Sequence, residues 1–150
     1  MSASGTAAGQ RRLVLLRHGH AEEGRDDFAR RLTDAGRRAA RQAGQALVQA
    51  RFQPELVLTS PAPRAQETAE LVARECGFDG APRADQALYL GEPRAYLALL
   101  RALPETLSRV LLVGHHPTLS ELARQLGEGA ELRPAQFVDL ALELDRWGEL

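Results

Sequence analysis

The segment Arg12–His20, with the sequence RLVLLRHGH, indicates the fold. Its apolar run Leu13–Leu16 has the length and composition of a buried strand that is covered on both faces. Arg17 and His18 follow at the carboxyl end of that strand, and this is the edge at which open α/β sheets bind ligands. Gly19 lets the backbone turn sharply and approach a ligand closely. Taken alone, these residues would also fit a basic pair on a solvated loop.

Length and charge limit the class of protein. A chain of 150 residues with a formal net charge of −1 fits one domain with a substantial core. We predict a flexible N-terminal tail over residues 1–10 and a single domain over residues 11–150. The balanced charge predicts binding neither to nucleic acid nor to a membrane, and no apolar run has the length of a membrane-spanning helix. The sequence gives no prediction of the oligomeric state.

The cationic and thiol side chains are also informative. Apart from histidine, every basic residue is an arginine, whose guanidinium fork suits phosphate. Cys76 is the single cysteine, which excludes an internal disulfide and favours a reducing compartment, so we expect a cytoplasmic protein. Cys76 itself is predicted to be a packed structural thiol, because it ends a helical pattern.

Strand and helix patterns alternate along the chain. Two more apolar strands, Leu56–Thr59 and Val110–Val113, each precede a turn and a helix. The helices are predicted from Thr33 to about Arg51, from near Pro63 to about Cys76, from Pro93 to about Leu103 and over Thr118–Leu126. This alternation predicts an α/β fold, a three-layer sandwich with a mostly parallel central sheet flanked by helices.

Three other segments have weaker patterns. Phe137–Asp145 alternates apolar and charged residues, which predicts a half-exposed strand at a sheet edge. Gln86–Leu90 is predicted as a short strand or an irregular connection. Glu22–Arg31 is rich in both charge signs and is predicted to be a mobile segment at the rim of the sheet.

Basic side chains follow all three predicted buried strands. Arg17 and His18 follow the first, Arg64 lies one helical turn beyond the second, and His115 follows the third. Because the carboxyl ends of parallel strands meet at one edge, we expect two guanidinium groups and two imidazoles around one pocket. Such a pocket suits a phosphoryl dianion, and a neutral imidazole can form a covalent phospho-enzyme there. The arginines and a second imidazole, protonated beside the bound phosphate, would stabilise the charge without a metal ion.

These segments resemble the motifs of the histidine phosphatase superfamily, whose members include the cofactor-dependent phosphoglycerate mutases. Arg17–Gly19 resembles its first motif, Ser60–Thr68 its second and Gly114–Pro117 its third, and Leu32–Gly36 resembles the usual start of its first helix. The resemblance extends from about Arg12 to Leu144, and the short length and the lack of a large insertion resemble the SixA-type phosphohistidine phosphatases in particular. It implies a phosphoglycerate mutase-like fold and hydrolysis of protein phosphohistidine through a covalent phosphohistidine intermediate.

The resemblance also implies roles for individual residues. By matching position, His18 would be the phosphorylated nucleophile, and Arg17, Arg64 and His115 would bind the phosphoryl group. His115 is the match rather than His116, because the family histidine directly follows the glycine. No metal and no cofactor are implied, and the substrate would be a phosphocarrier or a histidine-phosphotransfer protein. For His20 and His116 we predict rim or structural roles.

A general acid is not evident in the sequence. Larger members of the family have a carboxylic acid after the second motif, where this chain offers Asp79, Asp85 and Glu92, each in the context of a surface charge. Asp85 is the preferred candidate. An alkoxide leaving group gains roughly 10²–10⁴-fold from such an acid, whereas the labile P–N bond of phosphohistidine needs less help. The missing acid therefore favours a phosphoramidate substrate.

Three alternatives remain at this point. The same pocket could act on small phosphate esters, or it could belong to an inactive phospho-binding module, although binding alone does not require a nucleophile. A zinc site built from His18, His20, His115 and His116 is the third alternative. Two guanidinium groups in the same pocket would repel a dication, which disfavours zinc.

Overall fold

The structure is a computed structural model that describes residues 9–129 and 131–150. The predicted flexible tail over residues 1–10 lies outside the described residues, apart from Gly9 and Gln10. The strands are β1 Arg11–Arg17, β2 Leu56–Thr59, β3 Arg83–Ala84, β4 Arg109–Gly114 and β5 Phe137–Leu142. They form a sheet in the order β3-β2-β4-β1-β5, in which β5 is antiparallel to β1 and the other neighbours are parallel.

Helices cover both faces of this sheet. They are α1 Asp34–Gln49, α2 Pro63–Glu75, α3 Ala87–Leu90, α4 Pro93–Arg101 and α5 Thr118–Gln125, with a 3₁₀ turn at Trp147–Glu149. Alternate residues of β1 face opposite layers, as the strand period of two requires. Leu13 and Leu15 pack towards α4 and α5, whereas Val14 and Leu16 pack towards α1 and α2. The predicted three-layer sandwich is confirmed.

Local signals account for several helix starts. The N–H of Gly36 donates to Oγ1 of Thr33 at 3.0 Å, so Thr33 caps α1 as predicted. Pro63 and Pro93 occupy the first positions of α2 and α4, where a missing N–H costs no helical hydrogen bond. The predicted half-exposed edge strand is also confirmed as β5, which is antiparallel to β1 and ends at Leu142 rather than Asp145.

The prediction for Gln86–Leu90 is wrong. Residues 87–90 form the short helix α3, and the extra strand lies earlier, at β3. The carboxylate of Asp85 accepts the N–H of Ala87 at 2.9 Å, and Leu88 is fully buried. The hydrogen bond from Ala87 to Asp85 and the buried side chain of Leu88 thus favour a helical turn. This turn is too short to show the periodicity of a helix in the sequence.

Two further core side chains are Trp147, which has no signal in the sequence, and Cys76, which the sequence predicts to be packed. Trp147 is fully buried and its Nε1 donates to the carbonyl of Leu107 at 2.7 Å, although its segment has no apolar pattern. Cys76 is buried, and burial raises the pKa of its thiol to about 11.

Within residues 9–129 and 131–150, no helix combines the length and apolarity needed to span a membrane.

Candidate active site

The strand order brings the three motifs to one edge of the sheet. In register, Arg17 of β1 lies opposite Gly114 of β4, and Thr59 of β2 lies opposite Val113. A cavity of about 260 Å³ opens at this edge. It is lined by Arg17, His18, Asp27, Arg30, Arg64, Tyr89, Leu90, His115 and His116. The four predicted site residues therefore share one pocket, whereas a larger groove of about 500 Å³ beside α1 contains none of them.

Backbone contacts hold the first motif in place. The N–H of Gly19 donates to Oγ1 of Thr68 at 3.0 Å, and that hydroxyl donates to the carbonyl of Arg64 at 2.7 Å. A Cβ atom at Gly36 would lie 2.2 Å from the carbonyl oxygen of His20, so the start of α1 can pack this closely only with glycine there. The segment after β1 is thus fixed by both α1 and α2.

The two ring nitrogens of His18 have different partners, a backbone carbonyl at Nδ1 and the Nε donor of Arg64 at Nε2. Its Nδ1 lies 2.7 Å from the carbonyl oxygen of Gly19. Because a carbonyl can only accept, Nδ1 carries the proton, and Nε2 keeps its lone pair. Nε of Arg64 lies 3.4 Å from that Nε2. Burial lowers the pKa of His18 to about 4, and the charges of Arg64 and Arg17 add to this effect. At neutral pH, His18 is a neutral imidazole suited to nucleophilic attack.

His115 lies beside His18 and is hydrogen-bonded to Ser60 of the second motif. Their ring centroids are 5.1 Å apart. Nε2 of His115 lies 2.8 Å from Oγ of Ser60, and the same oxygen accepts the N–H of Ala62 at 3.1 Å. Burial lowers the pKa of His115 to about 3, with smaller contributions from His18 and Arg64. The free pocket therefore contains two neutral imidazoles, and His115 would become protonated only if a bound anion raised its pKa.

The arginines supply the positive charge of the pocket. Arg64 is only 4% exposed, which is unusual for a charged side chain. Its Nη1 donates to the carbonyl of Asp27 at 2.6 Å and its Nη2 to the carboxylate of Asp27 at 3.0 Å. Arg17 donates from Nη1 to the carbonyl of Leu132 at 3.0 Å. Its buried Nε, like that of Arg11 at the other end of β1, has no hydrogen-bond partner among the described residues.

Asp27 is a pocket residue that the sequence reasoning missed. It lies in Glu22–Arg31, which a backbone bridge between Ala21 and Leu32 closes at its base. The hydroxyl of Tyr89 donates to Oδ2 of Asp27 at 2.8 Å, and Nη1 of Arg30 donates to Oδ1 at 2.9 Å. The hydrogen bond from Tyr89, followed by those from the arginines, lowers the pKa of Asp27 to about 2. Asp27 is thus a carboxylate at neutral pH.

The predicted general acid is not in the pocket. Asp85 caps α3 through the N–H of Ala87 and does not line the cavity. Glu92 is exposed and lies 3.7 Å from Arg94, and Asp79 is exposed as well. The carboxylate that lines the pocket, Asp27, comes from the segment before α1 rather than from the segment after the second motif. No sequence signal distinguishes it from its neighbour Asp26.

The other two histidines occupy different places. His20 is exposed, and its Nδ1 lies 3.1 Å from Oγ1 of Thr33, outside the pocket lining. His116 does line the pocket, and its Nε2 lies 3.7 Å from Glu131. In the part of the chain that the structure describes, no three His, Cys, Asp or Glu residues are grouped so that they could hold a metal ion. The zinc alternative therefore has no geometric support.

Comparison with known proteins identifies the family. Residues 13–88 match the model of the histidine phosphatase superfamily, branch 1. An uncharacterised protein of Picosynechococcus is 37% identical over 144 residues, and the match covers 85% of this chain and 83% of that protein. The mitochondrial serine/threonine-protein phosphatase Pgam5 of Drosophila ananassae is 37% identical over 70 residues, which cover 46% of this chain but 24% of Pgam5.

Solved structures show the same relationship over nearly the whole chain. A putative phosphohistidine phosphatase SixA from Nakamurella multipartitia is 30% identical with a TM-score of 0.79, covering 95% of this chain and 90% of that one. The protein histidine phosphatase SixA in complex with tungstate is 25% identical with a TM-score of 0.79, covering 85% and 86%. Strand order, pocket and sequence matches thus agree, and the chain belongs to the histidine phosphatase superfamily, branch 1.

Proposed function

We propose that this protein hydrolyses phosphohistidine on a partner protein through a covalent phosphohistidine intermediate at His18. The observation that carries the proposal is the orientation of the His18 ring: Nδ1 is hydrogen-bonded to a backbone carbonyl, and the Nε2 lone pair is directed at the guanidinium group of Arg64 in the pocket. Nε2 of His115, in contrast, is hydrogen-bonded to Ser60. His18 is therefore the imidazole whose lone pair is available to a phosphoryl group held by Arg64. The similarity to the SixA structures supports the same reaction.

The first step transfers the phosphoryl group to the enzyme. The Nε2 lone pair of His18 forms a bond to phosphorus while the P–N bond of the substrate breaks, and its electron pair stays on the leaving imidazole. Arg64 and Arg17 neutralise the phosphoryl oxygens as charge redistributes. The carbonyl of Gly19 keeps the proton on Nδ1 of His18, so the phosphorylated ring carries a positive charge.

The second step regenerates the enzyme. Water attacks phosphorus, the bond to Nε2 breaks, and His18 leaves as the neutral imidazole because Nδ1 is still protonated. The products are histidine and inorganic phosphate, and the proton that water loses passes to solvent or to phosphate. We expect His115, which is hydrogen-bonded to Ser60 and lies beside His18, to stabilise the phosphoryl oxygens in both steps once the bound phosphate has raised its pKa.

The pocket favours a phosphoramidate over a phosphate ester. The carboxylate that lines the cavity, Asp27, has a pKa lowered to about 2 and so holds no proton to give to an alkoxide. A phosphohistidine protonated on its other ring nitrogen departs as a neutral imidazole and needs no such acid. The chemistry of the leaving group therefore supports a phosphohistidine substrate.

The test is phosphate release from a phosphorylated histidine-phosphotransfer domain, measured with EDTA present. We expect release by the wild type that is lost in His18→Ala and kept in His20→Ala, since His20 lies outside the pocket. Release abolished by EDTA would contradict metal-free catalysis. Turnover of phosphate esters without turnover of the phosphorylated domain would assign the protein to small-molecule substrates. Tight phosphate binding without either turnover would indicate a binding module.

A further inference from the structure

Two exposed apolar side chains stand beside the phosphoryl pocket. Phe28, Val48 and Leu90 are the large hydrophobic residues exposed in the described part of the chain. Leu90 is 80% exposed and lines the pocket itself, and Phe28 directly follows the pocket residue Asp27. Val48 lies near the end of α1, beyond which the carbonyl of Arg51 accepts a hydrogen bond from Arg12 at the start of β1. Val48 is therefore at the opposite edge of the sheet.

Phe28 and Leu90, which we call the apolar lip, are tied to the pocket through Tyr89. The ring of Tyr89 packs edge-on against Phe28, with centroids 5.0 Å apart, and also against His115 at 5.6 Å. Its hydroxyl donates to the carboxylate of Asp27. Scattered surface hydrophobics need no explanation, but Phe28 packs on a residue that lines the phosphoryl site, and Leu90 lines that site itself.

The size of the pocket places the remainder of a substrate against the lip. A cavity of about 260 Å³ is far smaller than a protein domain, so a partner protein can insert a phosphohistidine side chain while the rest of its surface stays at the mouth, where Leu90 lies. A small sugar phosphate has little apolar surface with which to cover Phe28 and Leu90. A protein with apolar side chains around its phosphohistidine would bury that surface and gain affinity.

We propose that the apolar lip docks the apolar surface surrounding the phosphohistidine of the partner protein. The inference rests on the proposed function and adds the residues that select a protein over a small substrate. The lip does not take part in phosphoryl transfer. We expect it to strengthen binding of the protein substrate and so to lower KM for that substrate.

The experiment compares two substrates that share the same bond. One is a histidine-phosphotransfer domain phosphorylated on its histidine, and the other is free phosphohistidine. We expect the double variant Phe28→Ser, Leu90→Ser to lower the ratio of kcat/KM for the domain to kcat/KM for free phosphohistidine by about tenfold, mainly through KM. Val48→Ser removes an apolar side chain far from the pocket whose exposure, 49%, lies between the 38% of Phe28 and the 80% of Leu90, and this control should keep the wild-type ratio.

Three other results would contradict the docking role of the apolar lip. An unchanged ratio in the double variant would overturn the docking role while leaving the proposed function intact. Failure of the wild type to hydrolyse either substrate would overturn the proposed function and the docking role together. A dimer of the wild type in sedimentation that is lost in the double variant would assign the lip to a second copy of this chain instead.

Discussion

The carbonyl oxygen of Gly19 lies 2.7 Å from Nδ1 of His18, so a backbone group determines which imidazole nitrogen is free. The prediction is that the phospho-enzyme carries phosphate on Nε2 and not on Nδ1. Trapping the intermediate in the cold at alkaline pH and comparing its ³¹P NMR shift with both phosphohistidine isomers would test this. Phosphate on Nδ1, or on a different residue, would contradict the tautomer that we infer. His18→Asn should give no adduct, and His20→Asn should give the wild-type adduct.

Ser60 is predicted to act as a positioning residue for His115. Its hydroxyl lies 2.8 Å from Nε2 of His115 inside the protein. Ser60→Ala should lower kcat by about tenfold, the equivalent of roughly one buried hydrogen bond. The ¹⁵N NMR shifts of the His115 ring should change at the same time, because Nε2 loses its hydrogen-bond partner. A stability loss with unchanged kcat and ring shifts would indicate a purely structural role, and Ser108→Ala is the control outside the pocket.

The site residues that the sequence predicted have one physical property in common. Arg17, His18, Arg64 and His115 lie at or shortly after the carboxyl ends of buried strands, and parallel strands necessarily bring these ends to the same edge. Asp27 and Tyr89 could not be predicted in this way. Their contact joins a turn segment to the four-residue helix α3, and neither segment has a periodic pattern that would fix its course. Sequence patterns thus predict residues that the sheet places, whereas loop-to-loop contacts require coordinates.

Asp27 is predicted to compete with phosphate for Arg64. In the free pocket its carboxylate and carbonyl occupy both terminal nitrogens of Arg64. Asp27→Asn removes the negative charge and should strengthen binding of inorganic phosphate. Because the Asp27 side chain is 56% exposed, solvent screening should limit the gain to roughly three- to tenfold at low salt.

Calorimetric titration with phosphate would measure the effect of this change. Asp26→Asn is the matched control, because Asp26 carries the same charge but makes no hydrogen bond to Arg64. The gain should shrink at high ionic strength, where the charge is screened. Weaker binding by Asp27→Asn would show instead that the carboxylate aligns Arg64 for the ligand.

Gly36 is predicted to be required for the packing of α1 against the first motif. A Cβ there would lie 2.2 Å from the carbonyl of His20, a distance that forces backbone movement. Gly36→Ala should therefore lower the free energy of unfolding by about 1–3 kcal/mol, although alanine favours helices by about 1 kcal/mol. Urea unfolding would measure this, with Gly129→Ala as the control, since nothing lies within 4 Å of a Cβ at that position. Equal stability of the two variants would contradict the close approach.

The two buried imidazoles predict how stability depends on pH. The pKa is about 4 for His18 and about 3 for His115 in the folded protein, against 6.5 for an ordinary histidine. As pH falls from about 6.5 to 4, the unfolded chain takes up protons on these residues and the folded chain does not. Stability therefore falls over this window, by up to about 1.4 kcal/mol per pH unit for each histidine. The lowered pKa of Asp27, about 2, acts only at lower pH.

Urea unfolding between pH 7 and 4.5 would measure this slope. His18→Gln should reduce it by about one proton, whereas His20→Gln, which changes an exposed residue, should leave it unchanged. Saturating phosphate should flatten the slope, because a bound dianion favours the imidazolium form and raises both pKa values. An unchanged slope in His18→Gln would mean that His18 takes up its proton at the same pH in the folded and the unfolded protein. In that case burial would not keep His18 neutral below about pH 6.5, and attack by Nε2 in weakly acidic solution would first require removal of a proton.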